Sequence, residues 1–286
     1  MTVLEVIQRS TEFLGRKGVE SPRLQVELLL AEVLKMPRMK LYLNFDRVLA
    51  DGELDALREM VRRRGEREPL QHIVGHAPFC GMEFLVNRDV LVPRPETELL
   101  VEEALKFLST MSAPCTVLDF GTGSGCVAIS MAVRAPEGTT VHALDLSVAA
   151  LKVARENSVR LGAAERVLFH AGDGFAALPG DVRFDLLVSN PPYIPSDEIA
   201  TLEPEVREFD PRGALDGGAD GLDFYRLLAD SGRTRMKPPG WLLVELGEGQ
   251  HAAITTIFQA TGWRVDRVLK DFTGRERILI AQAGEW

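Results

Sequence analysis

The sequence predicts an α/β fold: a parallel sheet covered by helices on both faces, behind a small all-helical domain. Three observations predict it. The first 78 residues carry apolar patterns of helical period only, short apolar strands alternate with helical stretches from residue 115, and the first of those strands runs into a glycine-rich turn. A chain of 286 residues has room for one large domain and a small companion.

Taken in order, "TVLEVIQRSTEFL" gives an approximate helical stripe through Leu4, Ile7, Phe13 and Leu14. Ser21-Pro22 reads as an N-cap followed by proline at the first helical position, and "LQVELLLAEVL" continues with spaced apolar residues. "DGELDALREMVRRR" reads as an amphipathic helix capped near Asp51, with Arg62, Arg63 and Arg64 as a solvated end whose charge suits the helix C-terminus. These helices make a domain over residues 1–78. Residues 79–95 read as a β-hairpin linker, with "FCGMEFLV", then Asn87, Arg88 and Asp89 as turn, then "VLVP". "RPETELLVEEALKFL" opens a helix with early acids, and the main domain runs over 96–286.

Strand candidates in that domain are "CTVLDF" (115–120), "TVHALD" (140–145), "RVLFHAG" (166–172), "FDLLVSN" (184–190) and "GWLLVEL" (240–246). Helical patterns at 127–133, 148–161 and 222–236 fall between them, the alternation that produces parallel strands with helical crossovers. "WRVDRVLKD", a turn at Thr273-Gly274 and "ERILIAQ" read as a closing pair of strands.

Composition narrows the function. The longest apolar runs, such as 28–31, fall far short of a membrane span, and "MTVLEVIQRSTEFL" lacks a basic n-region and a cleavage pattern, so no secretory signal is expected and the cytoplasm is the default location. Cys80, Cys115 and Cys126 form no CxxC pair, which predicts reduced thiols rather than disulfides or a thiolate metal site. His72 and His76 sit four apart, but Pro69, Gly75 and Pro78 argue against a continuous helix there; no metal is expected. Residues 1–95 hold 15 Lys/Arg against 14 Asp/Glu, whereas residues 96–286 hold 18 against 28. An acidic main domain opposes a polyanion, so direct DNA binding is not expected.

The chemistry begins at "DFGTGSG", residues 119–125. Gly121, Gly123 and Gly125 let a tight turn pass close to a ligand while the following helix offers unpaired N–H groups. Asp145 ends the next strand, 20 residues after Gly125, where a carboxylate accepts from both ribose hydroxyls. Asp173 and the Gly174 backbone, just after the third strand, are placed to line an adenine. The spacing is GxGxG rather than the GxGxxG of pyrophosphate binding. Asp119 before the loop would repel a diphosphate yet suits a methionine amino group, so S-adenosyl-L-methionine is the expected cofactor, with S-adenosyl-L-homocysteine as its product. Thr122 and Ser124 complete the expected cofactor loop.

The fourth strand delivers "NPPY", residues 190–193, to the same edge. Methyl transfer to nitrogen is an in-line displacement, and a planar conjugated amide or adenine amine needs both its N–H groups held. Asn190 Oδ1 takes one and the Pro191 carbonyl the other, which makes these residues the candidate catalytic and substrate-binding acceptors, with Asn190 also touching the cofactor. Pro191 and Pro192 fix the turn without adding a competing donor, and Tyr193 covers the planar group.

With "VLVPRPETE" (90–98), "DFGTGSG", "SNPPYIP" (189–195) and "EFDPRGALDGGADGLDFYR" (208–226), nearly the whole chain resembles the HemK/PrmC family, which methylates the glutamine amide of the Gly-Gly-Gln motif in peptide chain release factors. The resemblance implies a seven-stranded Rossmann-like methyltransferase sheet with the last strand antiparallel, a substrate-recognising N-terminal domain, release factors as protein partners and a role in translation termination. It carries cofactor contacts onto Gly121 to Gly125, Asp145 and Gly174, and glutamine recognition onto Asn190 to Tyr193. Glycine at 174, where relatives often have a bulkier residue, leaves stacking on adenine open; Arg94 and Glu96 read either as organisers of the hinge or of the cofactor entrance, or as a purely structural cap. Two other enzymes fit NPPY: a nucleic-acid adenine N6-methyltransferase, which calls for a basic groove, and a ribosomal-protein glutamine methyltransferase, which typically lacks the "PETE" continuation. A cofactor-sensing module without catalysis would not need Asn190 and Tyr193 intact.

Overall fold

Thr2 starts the first helix, its hydroxyl accepting from the Glu5 N–H while the Glu5 carboxylate takes the Thr2 N–H. In the computed structural model, which describes residues 1–284, helix α1 (Val3–Arg16) buries Val3, Ile7 and Leu14. Proline opens α2 (Pro22–Val33), but Ser21 is left-handed, with φ of 46°, and makes no side-chain cap; that expected N-cap is corrected. Short α3 (Arg38–Leu41), then α4 (Asp51–Gly65) and α5 (Leu70–Val74), complete a core around Val26, Leu29, Leu30 and Leu57.

The arginine run at the end of α4 is solvated at Arg62 only, with Arg63 half-buried and Arg64 buried. Arg62 bonds Glu59 and Glu66, Arg63 bonds Glu68, and Arg64, 4% exposed, bonds Glu205 at 2.8 Å. Glu205 lies on a short helix, Pro204–Phe209, and Arg67 also reaches it and Glu203. One compact unit therefore comprises Met1–His76 together with Glu203–Phe209, and the other Ala77–Leu202 together with Asp210 onward; the reading of 96–286 as one uninterrupted domain did not foresee that excursion, and residues 285–286 lie outside the described ones.

The second unit begins with a hairpin of β1 (His76–Phe79) and β2 (Met82–Leu85). Its turn is Cys80-Gly81, both at positive φ, rather than residues 87–89: two left-handed residues match the strand twist, while Val90 and Val92 are drawn into a small core with Ala150 and Val153 instead of pairing. Then follow α6 (Glu98–Thr110), β3 (Thr116–Phe120), α7 (Cys126–Arg134), β4 (Thr140–Asp145), α8 (Val148–Arg160), β5 (Val167–Ala171), β6 (Phe184–Ser189), β7 (Met236–Glu245), β8 (Trp263–Lys270) and β9 (Glu276–Ala283). The helical stretch expected over 222–236 is regular only at Asp223–Leu227, then widens and tightens before β7.

The seven strands run in the order β5-β4-β3-β6-β7-β9-β8, with β9 antiparallel to both neighbours and the other ladders parallel. Both faces are buried: along β6, Leu186 and Val188 pack in one core with α6 and α7, whereas Leu187 packs in the other with Tyr225 and Phe258. Two-sided burial is why these strands are apolar throughout instead of alternating. The sheet's order reverses direction at β3, so β3 and β6, parallel neighbours, bring the glycine loop and Asn190 to one edge.

Candidate active site

The strand ends are laced together before any ligand is considered. Gly121 and Thr122 N–H groups donate to the Leu144 carbonyl at 2.9 and 3.0 Å, and Gly172 N–H donates to the Asp145 carbonyl at 3.1 Å. Asp145 Oδ2 accepts from Gly123 N–H at 2.8 Å and Oδ1 from Ser147 N–H at 2.8 Å. The loop and its acidic partner, read separately in the sequence, are thus one hydrogen-bonded structure.

A pocket of about 290 Å³ opens at this edge. Gly121, Gly123, Asp145, Asp173 and Gly174 line it, and so do Asn190, Pro191 and Pro192. Gly121 and Gly123 have positive φ and open space where a Cβ would stand, so any side chain would project into the cavity. Gly125 is needed for a different reason: at φ of 81°, its Cβ would come 2.8 Å from Ile129 and 3.1 Å from Ala154. A bare-backbone floor beside an acceptor carboxylate is a cradle that fits a nucleoside-bearing cofactor.

Asp119, Thr122, Ser124 and Gly125 lie beneath the loop and do not line the pocket. Asp119 Oδ2 accepts from the Thr122 hydroxyl at 2.6 Å and from Ala128 N–H at 3.0 Å, capping α7 from below. Burial pushes its carboxyl up to about 7, against those two hydrogen bonds. Asp145 is raised in the same direction by burial, opposed by its bonds from Ser147 and Gly123.

Asn190 follows β6, whose last residue, Ser189, ties it to β3 by donating its hydroxyl to the Phe120 carbonyl at 2.7 Å. The Asn190 Nδ2 donates to Thr97 Oγ1 at 3.0 Å, and among the described residues no donor reaches its Oδ1. The backbone after it is clamped by the loop after Asp210: Ile194 N–H donates to Leu215, and Gly217 N–H to Ile194. Gly221 permits that approach, since a Cβ there would lie 2.4 Å from the Tyr193 carbonyl oxygen. This accounts for "ALDGGADGL" as the second half of the NPPY turn. Tyr193 does not line the pocket; its ring lies against Gly247, its carbonyl accepts from Gln250, and burial pushes its phenol up to about 12.

Three further features complete the site. Leu227 and Phe224 bring apolar walls to the pocket, Leu227 3.8 Å from where a Gly174 Cβ would stand, so the bulk missing at 174 comes from elsewhere. Arg94 pairs with Asp210 at 2.7 Å, anchoring the loop whose Pro211 and Gly213 line the pocket; burial raises the Asp210 carboxyl to about 6. Thr97 and the buried Glu245 stand behind Asn190, and only the surrounding "PETE" motif signalled them.

Comparison with known proteins places these features in a lineage. Residues 5–75 match the model of the PrmC N-terminal domain and residues 97–202 that of the methyltransferase small domain. A release factor glutamine methyltransferase of Geobacter sulfurreducens is 45% identical over 99% of this chain and 97% of its own length. One of Moorella thermoacetica is 39% identical over the full length of both. Among solved structures, a methyltransferase from Pyrococcus furiosus superposes with a TM-score of 0.54 at 18% identity, covering 72% of this chain and 91% of that one, a likeness of fold.

Proposed function

The chain belongs to the release factor glutamine methyltransferase family, and on that footing we propose that it transfers a methyl group from S-adenosyl-L-methionine to the side-chain nitrogen of the glutamine in the Gly-Gly-Gln motif of peptide chain release factors. The observation carrying this reading is Asn190, a side chain in the pocket wall with its NH2 engaged and its oxygen free. When bound, the cofactor supplies an electrophilic methyl group. Asp145 takes the ribose hydroxyls, while Gly121 and Gly123 leave room for the rest of the molecule. The Gly174 backbone, Asp173, Leu227 and Phe224 enclose the adenine. Asp119, Thr122, Ser124 and Gly125 hold the loop's shape, and the field of Asp119 favours the methionine ammonium group.

A carboxamide nitrogen is a weak nucleophile because its lone pair is conjugated. Asn190 Oδ1 and the Pro191 carbonyl accept its two N–H groups, which orients the lone pair along the line of displacement and favours charge building on nitrogen. Pro192 keeps the turn rigid and donor-free, and Tyr193, whose ring lies against Gly247 outside the pocket lining, anchors the turn rather than covering the amide. The nitrogen must shed one of its two protons as the new C–N bond forms; the alkylated amide is strongly acidic and gives that proton to water, so no step asks for a strong base. We place this work in the cytoplasm, with no direct DNA binding and no membrane involved; among the described residues no helix is long and apolar enough to cross a bilayer.

The test is incubation with methyl-labelled cofactor and purified release factor, in parallel with ribosomal proteins and nucleic acids, followed by peptide mass spectrometry. Label on the motif glutamine, and its loss when that glutamine is replaced by alanine, is the expected result. Label on nucleic acid alone would overturn the proposal.

A further inference from the structure

The carboxamide of Asn190 can sit two ways round, and only one turns its oxygen toward a methyl acceptor. Its Nδ2 lies 3.0 Å from Thr97 Oγ1, and that hydroxyl lies 2.7 Å from Glu245 Oε2. Thr97 and Glu245 are 2% and 1% exposed, so both are sealed from bulk water. An ionised carboxylate has no hydrogen to give, so the Thr97 hydroxyl must be the donor. Its oxygen then has only lone pairs left for Asn190, which must answer with N–H and not with C=O. Amide nitrogen and oxygen have nearly the same shape; the donor sequence, not the shape, tells them apart.

We propose that Thr97 and Glu245 are positioning residues that set the polarity of the Asn190 amide, so that Oδ1 and not Nδ2 faces the methyl-accepting nitrogen. The inference rests on the amide-methylation reading above and adds two residues to it.

The reversed state is equally well bonded and chemically wrong. If Glu245 takes a proton, its O–H donates to Thr97, the Thr97 hydroxyl donates to Asn190 Oδ1, and the NH2 turns outward against the substrate's own N–H groups. Burial pushes the Glu245 carboxyl up to about 7, against the hydrogen bond from Thr97 and the charges of Arg277 and Arg94, while Glu96 adds to the rise. The phenols of Tyr193 and Tyr225 also face it, both held neutral by burial, and Tyr225 donates to the Glu245 backbone carbonyl at 2.9 Å. Turnover therefore rises as pH rises through neutrality.

The test uses Thr97→Val, Thr97→Ser and Glu245→Gln in the full chain. Three quantities are read: cofactor affinity by calorimetry, the pH profile of glutamine methylation, and hydrogen exchange of the Asn190 side-chain amide in a spectrum with only four asparagines. Thr97→Val is expected to lower kcat about 100-fold, the size of effect a misplaced reacting group has, with cofactor Kd within about threefold. Its Asn190 amide protons exchange fast, and Thr97→Ser restores both rate and protection. Glu245→Gln, whose uncharged amide can accept from Thr97 and can also donate to it, keeps kcat within about tenfold and, with no proton to gain or lose, loses the rise through neutrality. A Thr97→Val enzyme that turns over like the wild type, equal Asn190 exchange in the two, or an unchanged pH profile in Glu245→Gln would each overturn the proposal. Exchange is measured without substrate, so a wild type that left release factors unmethylated would sink the functional reading and still leave this one decided.

Discussion

Replacing Asp145 by asparagine separates its two duties, and the structure sets the size of the effect. Both carboxylate oxygens already accept a backbone N–H at 2.8 Å, from Gly123 and from Ser147. An ionised carboxylate has about four acceptor sites, which leaves two for the ribose hydroxyls. Asparagine has one acceptor oxygen and must aim its NH2 at either Gly123 or Ser147. The variant thus loses a charge-assisted bond to the ribose and sets two donors facing each other in the loop. A net hydrogen bond to a charged group is worth roughly 1.5–3 kcal/mol, so cofactor Kd should rise about 10- to 150-fold. Alanine, which also abandons the loop bonds, should do no better. Isothermal titration with S-adenosyl-L-homocysteine reads this directly. Burial raises the Asp145 carboxyl, and its protonated form offers one acceptor fewer; wild-type affinity should therefore fall as pH drops through that raised value, and the asparagine variant should lose the dependence. An Asp145→Asn protein with wild-type affinity at neutral pH would send the ribose elsewhere and refute the cofactor placement.

Four other outcomes are expected. Asn190→Ala should cut turnover about 100-fold or more while changing cofactor affinity far less, because its oxygen acts on the acceptor; equal losses in stopped-flow turnover and calorimetric binding would reject that division. Gly125→Ala forces a left-handed alanine whose Cβ would lie 2.8 Å from Ile129, and should cost about 2–4 kcal/mol by denaturant titration. Gly221→Ala, with its Cβ driven to 2.4 Å from the Tyr193 carbonyl, should lower kcat with less effect on melting temperature than Gly125→Ala. Asp119 and Glu245, raised to about 7, and Asp210, raised to about 6, contribute stability that is complete below the ordinary carboxylate range and lost as pH rises through those values, each unit being worth about 1.4 kcal/mol; melting temperature should fall as pH rises from about 4 to about 7 and level off above, with a shallower slope in Asp119→Asn, whose amide oxygen still accepts from Thr122 and Ala128.

What the sequence disclosed was whatever a short window encodes. The strand 140–145 stands where its apolar run and terminal acid put it, and the Gly123–Asp145 bond joins two motifs whose spacing alone had paired them. The hairpin turn was misplaced because Asn87, Arg88 and Asp89 are ordinary turn residues, whereas a left-handed Cys80 has no compositional mark. Contacts between distant residues were silent altogether. Asn190 and Thr97 are separated by 93 positions, Thr97 and Glu245 by 148, and Arg64 and Glu205 by 141. Thr97, Glu245 and Arg64 carry no mark of burial in their own neighbourhoods, and only the fold reveals that each is buried against a partner.

Two convergent acceptors do not by themselves choose a glutamine. On the proposed function, any planar conjugated amine, an extruded adenine included, would satisfy Asn190 and Pro191, so the choice of substrate class would fall to features outside the pocket. On that reading, electrostatics would make it. A protein that neutralises phosphates with Lys and Arg gains affinity because the nucleic acid's condensed counterions are released to solution, and residues 96–286 carry 28 acids against 18 bases. The one dense basic run, Arg62 to Arg64, is spent within its own unit on Glu59, Glu66, Glu68 and Glu205. A phosphate backbone would have to break those pairs, including the buried Arg64 one, before gaining anything from them, and breaking a buried pair costs roughly 3–5 kcal/mol. A polypeptide substrate would meet no such cost.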